Sequence, residues 1–341
     1  MLPAPVPNRG ERITVLPSAP TWPTVLTAWT ISPVADLLMV VGTVGYLRLA
    51  SRGGTRWPAR RTACWLLAML TLVISVDGPV ARYAEVLFWV HMAQHLLLIM
   101  VAPMLLIWAQ PLRLVHAKGG ARASGLAERV QRSRVARWLS APLFGLGLYT
   151  AVVVLTHLTG FQQISATHGW VRGLELALYL VSGWLFFVSL AGDELIAWSL
   201  PYLLRFVVLA VGMGADTLTG VVLMLSSRPL APVYGLAHPG WGPSLLRDQE
   251  LAGAIMWFGG DLLMMLLMIL VAVQWGRAGS DRQGLGDWLE GARRRAVLGA
   301  DDNQPAGDYD GDLDDDQRAL DAYNATLAAL HAGEHPERRE R

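Results

Sequence analysis

The chain has 341 residues, of which 53 % are apolar and 16 % charged, against roughly 25 % charged in an ordinary soluble domain. Its formal net charge of +1 and mean hydropathy of +0.37 leave no whole-molecule field that would argue for nucleic acid. Cys64 is the one cysteine, which excludes an internal disulfide, a CxxC thiolate site and an iron–sulfur cluster.

The opening stretch from Met1 to Trp22 is rich in proline and lacks the apolar core of about 7–15 residues that a cleavable signal peptide needs. Residues 1–27 are expected to form an extracytoplasmic segment. A helix needs about 20 mostly apolar residues to cross the hydrocarbon core. By that rule seven spans follow, at roughly 32–50, 61–77, 86–108, 139–158, 172–192, 202–225 and 251–275. The second is the weakest, because its clean apolar run is short and Asp77-Gly78-Pro79 ends it. The fold class is therefore an all-α polytopic bundle of about seven transmembrane helices, with residues 28–276 as the membrane domain.

Loop charge sets the orientation, since Arg and Lys gather on the cytoplasmic side. Arg52, Arg56, Arg60 and Arg61 lie between spans one and two. Arg113, Lys118, Arg122, Arg129, Arg132, Arg134 and Arg137 lie between three and four, and Arg277, Arg282 and Arg293 to Arg295 follow span seven. The alternate loops carry far fewer, so the expected topology is N-terminus outside and C-terminus cytoplasmic. Residues 277–341 form a polar tail with an acidic run from Asp301 to Asp316 and a short amphipathic pattern at Leu320, Tyr323, Leu327 and Leu330. The run is no calcium loop: counting from Asp308, the sixth position is Leu313 rather than Gly and the twelfth is Ala319 rather than Glu.

Ionisable groups inside apolar spans are costly and mark functional candidates. The strongest are His91 and His95 in the third span, one turn apart on one helix face. Two neutral imidazoles so placed can share a metal ion or a proton path; the alternative is a pair of interhelical hydrogen bonds. His157, His168 and His238 fall on the same extracytoplasmic side by the loop charges, and Glu175 and Asp77 lie close enough to that side to join them. The pair is no zincin, because Met92 stands where that motif needs Glu. One helix serving two haems needs ligands about 13–14 residues apart, although a single haem shared with His157 stays open. Imidazole with thioether suits copper, with Met92 and Met256 the best-placed thioethers. Asp216 and Asp261, also within spans, have structural pairing with Arg205 or hydrogen bonding, or proton carriage, as their readings.

Several blocks together resemble the CtaG family of cytochrome c oxidase assembly proteins. They are Gly78-Pro-Val-Ala-Arg-Tyr83, HMAQHLLLIMVAPMLL from His91 to Leu106, His157, His168 with Glu175, DQELAGAIMW from Asp248 to Trp257, and Asp261 with the VQWGR ending at Arg277. The tail segment from Leu320 to Ala325 is similar to that of actinobacterial members. The resemblance implies a non-enzymatic, seven-helix protein of the bacterial plasma membrane that matures haem-copper oxidase. It further implies copper delivered at the outer face, oxidase subunits and a copper chaperone as partners, and His91, His95, His157 and His168 as the carried-over ligands. One departure is visible: the span-five Glu is often followed by His in that family, whereas Glu175 is followed by Leu176. A copper transporter resembling the CopD permeases and a membrane haem protein of electron transfer are the alternatives.

Overall fold

The computed structural model describes residues 18–53, 56–191, 194, 198, 200–236, 241–279, 321 and 324. His238, the acidic run and the amphipathic tail pattern lie outside the described residues, apart from isolated positions. The chain to Val271 is one compact unit and Ala272–Arg341 a second; the first carries every feature discussed below. Every regular element among the described residues is helical. Among the described residues six helices are long and apolar enough to cross a membrane alone: Pro33–Ala50, Ala59–Tyr83, Phe88–Lys118, Gly169–Ala191, Tyr202–Leu225 and Leu245–Arg277.

The expected weak point of the count was the second span, yet Ala59–Tyr83 is long and apolar enough to cross, its helix ending at Val76 and a short helix, Pro79–Tyr83, resuming after Asp77-Gly78. The fourth is the one that falls short. Pro142–Leu158 has 17 residues, about 26 Å at 1.5 Å per residue, less than the hydrocarbon thickness of about 30 Å. It is followed after a 77° bend by Phe161–Thr167. The candidate crossings among the described residues number six, or seven with the bent pair counted as one. The clean apolar run hid the bend because Thr159-Gly160 supplies the break without any charge.

We label Pro33–Ala50 α1, Ala59–Val76 α2, Phe88–Leu96 α3, Ala102–Ala109 α4, Pro142–Leu158 α5, Phe161–Thr167 α6, Gly169–Ala191 α7, Tyr202–Leu225 α8, Leu245–Ala254 α9 and Gly260–Gly279 α10. Proline sits in the first turn of α1 and α5, where its missing N–H costs nothing. The third span is the central one: 72 % of its most apolar 18-residue stretch is buried, against 6 % of α1. Its lower part α4 packs on α2 and α7, its upper part α3 packs on α9, and α5 fits between α7 and α8. The lipid-facing surface carries the exposed apolar side chains that a bilayer solvates, among them Leu37, Val41, Leu70, Val181, Val211 and Ile269.

Between α3 and α4 the helix widens into a π-turn, Leu97–Val101, and Pro103 explains it. In regular α geometry that proline could not donate to the Ile99 carbonyl and its ring would clash with it; the wider turn relieves the clash. The Ile99 carbonyl then lies against α7 at Gly183, where an added Cβ would come within 1.8 Å of its oxygen. A second close crossing joins Gly220 of α8 to Gly253 of α9, each Cβ position under 3 Å from the other's carbonyl oxygen. With no hydrophobic force between helices in lipid, such small residues let the backbones approach.

Gly183→Ala is therefore expected to abolish folded protein, read as loss of the monodisperse peak in detergent. Gly147→Ala on α5, whose Cβ position meets nothing within 4 Å, should leave that peak intact.

Candidate functional site

Three histidines from two spans converge. His91 and His95 stack one turn apart on α3, and His157 is in the last turn of α5. All three are buried. The His95 and His157 rings stand 4.7 Å apart by centroid, those of His91 and His157 5.9 Å. Tyr179 of α7 packs on His95 at 4.3 Å and runs parallel to His157 at 6.1 Å. Phe88 and Tyr234 close the cluster on the His91 side, at 6.1 and 6.3 Å. Burial raises the Tyr234 phenol above its usual range, so this residue of the short helix Val233–Leu236 stays protonated.

Glu175 anchors the cluster. Gln162 Nε2 donates to its Oε1 at 2.8 Å, Tyr179 OH to the same oxygen at 2.7 Å, and Ser165 Oγ to Oε2 at 2.5 Å. His91 Nε2 lies 3.5 Å from Oε1 and 3.3 Å from Gln162 Nε2. A carboxylate buried among apolar helices is costly unless its lone pairs are filled, and here three donors fill them. Two of these come from α6, the short helix that the bend after Leu158 folds back over α7. The broken span thus supplies what Glu175 requires.

The tautomer of His157 follows from its neighbours. Its Nδ1 lies 2.9 Å from the Val153 carbonyl, which can only accept, so Nδ1 carries the proton and Nε2 presents a bare lone pair. Among the described residues that Nε2 has no hydrogen-bond partner, nor has either ring nitrogen of His95, nor Nδ1 of His91. Leaving a buried polar group unpaired costs about 1–3 kcal/mol. A neutral imidazole offers one lone pair, so the three rings can present at most three, a donor set chemically matched to a metal ion of the copper or zinc type. Among the described residues no three His, Cys, Asp or Glu side chains already converge closely enough to hold one, so binding one would require the rings to shift.

The other expected site residues are placed as follows. Met92 and Met256 are fully buried in the main apolar cluster that also contains Phe88, Tyr179 and Tyr234. His168 is exposed at the end of α6, its Nδ1 turned to Thr167 and the Ile164 carbonyl of its own helix. Asp77 caps α2, its carbonyl accepting from Thr30 N at 2.7 Å and its side chain beside Ser32 and Asp36. Arg205 pairs with neither span acid: it donates to the Leu200 carbonyl and covers Tyr202. Asp216 instead accepts from Tyr149 OH at 2.6 Å and Asp261 from Thr217 at 2.8 Å.

Sequence reasoning missed Gln162, Ser165, Tyr179 and Asp248. Tyr179 had a signal, lying one turn after Glu175. Asp248 of α9 grips the start of the histidine helix, its two carboxylate oxygens accepting from Phe88 N at 2.8 Å and Trp89 N at 3.0 Å. A carboxylate there satisfies free backbone N–H groups and the helix dipole together. Gln162 and Ser165 fall in a polar stretch with no periodicity.

Glu175→Ala would leave three buried donors unpaired, costing about 3 kcal/mol or more in sum. Thermal unfolding in detergent should show a clearly lowered midpoint, with Glu175→Gln intermediate. An unchanged midpoint in both variants would rule out the carboxylate as anchor.

Comparison with known proteins agrees with this architecture. A family model described as cytochrome c oxidase caa3 assembly factor matches residues 40–278. Uncharacterized proteins of Mycobacterium bovis and Mycobacterium tuberculosis are each 29 % identical over 326 residues, and one of Mycobacterium leprae is 27 % identical. Each alignment covers 92 % of this chain and 46 % of the relative, so the chain spans about half the length of the curated relatives it matches. No solved structure matches. With the match running from the first span through the last, the chain belongs to the Caa3_CtaG family of cytochrome c oxidase assembly factors.

Proposed function

We propose that the chain takes up copper as cargo on the histidine cluster and passes it to a haem-copper oxidase subunit, without catalysing a reaction itself. His95 and His157, the nearest pair of rings, would hold the ion, and His91 would complete the set. The observation that carries this reading is the bare, unpartnered Nε2 of His157 facing a His95 ring with neither nitrogen bonded. Purely structural histidines in lipid would be expected to spend those nitrogens on interhelical hydrogen bonds.

Lability supports delivery rather than storage. The site has no thiolate, since Cys64 belongs to α2 and lies in another cluster, and imidazole ligands alone release copper more readily than thiolates do. The Glu175, Gln162 and Val153 contacts would act as outer-shell groups that fix ring orientation. The loop charges favour the extracytoplasmic side for the cluster, where a copper chaperone and the immature oxidase subunit would meet it in the bacterial plasma membrane.

Purified full chain loaded with Cu(I) and assayed for bound metal tests this directly. His95→Ala/His157→Ala should lose most of the copper and lower oxidase activity in a complemented host, whereas His168→Ala, exposed and turned away, should match wild type. Undiminished copper and normal oxidase in the double variant would remove the reading. A Soret band in the purified wild type would transfer the site to haem.

A further inference from the structure

At the opposite end of the bundle from the histidines, the first three spans meet around a cavity of about 630 Å³. It opens where α1 ends at Ala50, α2 begins at Ala59 and the extension of the third span ends at Lys118. Its cations are Arg52, Arg56 and Lys118. Two of them are fixed reciprocally: Arg52 Nη1 donates to the Lys118 carbonyl at 2.9 Å, and Lys118 Nζ to the Arg52 carbonyl at 2.9 Å and that of Ala50 at 3.2 Å. The ion pairs among the described residues are formed by Arg82, His91, Arg132 and Arg247. None neutralises the three cations of this cavity.

Trp57, in the cavity wall, belongs to an aromatic stack behind it. Arg61 covers the Trp57 ring at 4.6 Å, Trp57 Nε1 donates to Tyr46 OH at 3.0 Å, and Tyr46 stacks on Trp65 at 4.4 Å. Amphipathic aromatic rings of this kind sit at the level of lipid headgroups. Below the cations the wall turns apolar at Ala63 and Leu66. Leu66 and Leu70, one turn apart on α2, are 47 % and 54 % exposed and carry the apolar strip down the outer surface.

We propose that this cavity binds the headgroup of an anionic phospholipid, with the phosphate among Arg52, Arg56 and Lys118 and an acyl chain along Leu66 and Leu70. A cluster of basic side chains between helix ends is the site that such headgroups recognise, and by its own positive charge this end is the cytoplasmic one, where the leaflet is anionic. Inorganic phosphate shares the charge but has nothing to place on the leucine strip. The proposal is independent of the copper reading.

The test is native mass spectrometry of the full chain exchanged from nanodiscs of phosphatidylcholine with added phosphatidylglycerol. Wild type is expected to retain phosphatidylglycerol over phosphatidylcholine. Retention should fall about fivefold with Arg56→Gln and further with Arg52→Gln/Arg56→Gln/Lys118→Gln. Arg56 makes no hydrogen bond within the described residues, so the single variant should keep the wild-type melting midpoint and separates lost binding from lost folding. Equal retention of both lipids, no change in Arg56→Gln and the triple variant, or displacement of the lipid by millimolar inorganic phosphate would each overturn the proposal. So would lipid retention that appears only after the acidic residues between 301 and 316 are changed to amides, which would assign the cavity to the chain's own tail.

Discussion

A carboxylate cannot be left bare inside a helical membrane bundle, and Glu175 imposes that constraint on everything near it. Its oxygens are filled by Tyr179 from its own helix and by Gln162 and Ser165 from α6. For α6 to reach it, the fourth span must stop early and turn back. That turn leaves His157 in the final turn of α5, beside the α3 pair. The acid, the bend and the histidine trio are one arrangement, and the polar groups that fix it are those that would orient a metal ligand.

The histidine helix is constrained from both ends. Asp248 holds its first two N–H groups from α9, while Pro103 and Gly183 set its far end through the π-turn and the close crossing with α7. Gln94, on the same helix, donates to the Ser75 carbonyl at 2.6 Å and accepts from Arg172. The contrast within one turn is informative. Gln94 uses both ends of its amide to bind neighbouring helices, as a structural polar group should, whereas His91 and His95 leave three ring nitrogens unspent.

Much of this was legible in the residues. Apolar runs located the crossings, and the spacing of His91 and His95 placed them on one face. Two things were not legible, for the same physical reason. The bend after Leu158 and the capture of Glu175 by Gln162 and Ser165 both depend on where a short polar helix lands in three dimensions, and hydropathy measures solvation, not direction. His168 illustrates the converse: neighbouring in sequence and alike in chemistry, it points away because α6 turns its other face inward. Asp77 was credited with a place near the histidines, but its helix ends against the start of α1.

The short fourth helix has a consequence for the bilayer itself. At 17 residues, beside neighbours of 23 and 24, α5 is mismatched to the surrounding hydrocarbon, and the lipid there must thin or its flanking residues must reach out to the interface. Thinning over α5 shortens the greasy path between bulk water and His157. On the copper reading, the same truncation that builds the cluster would lower the dielectric barrier that the ion meets in approaching it.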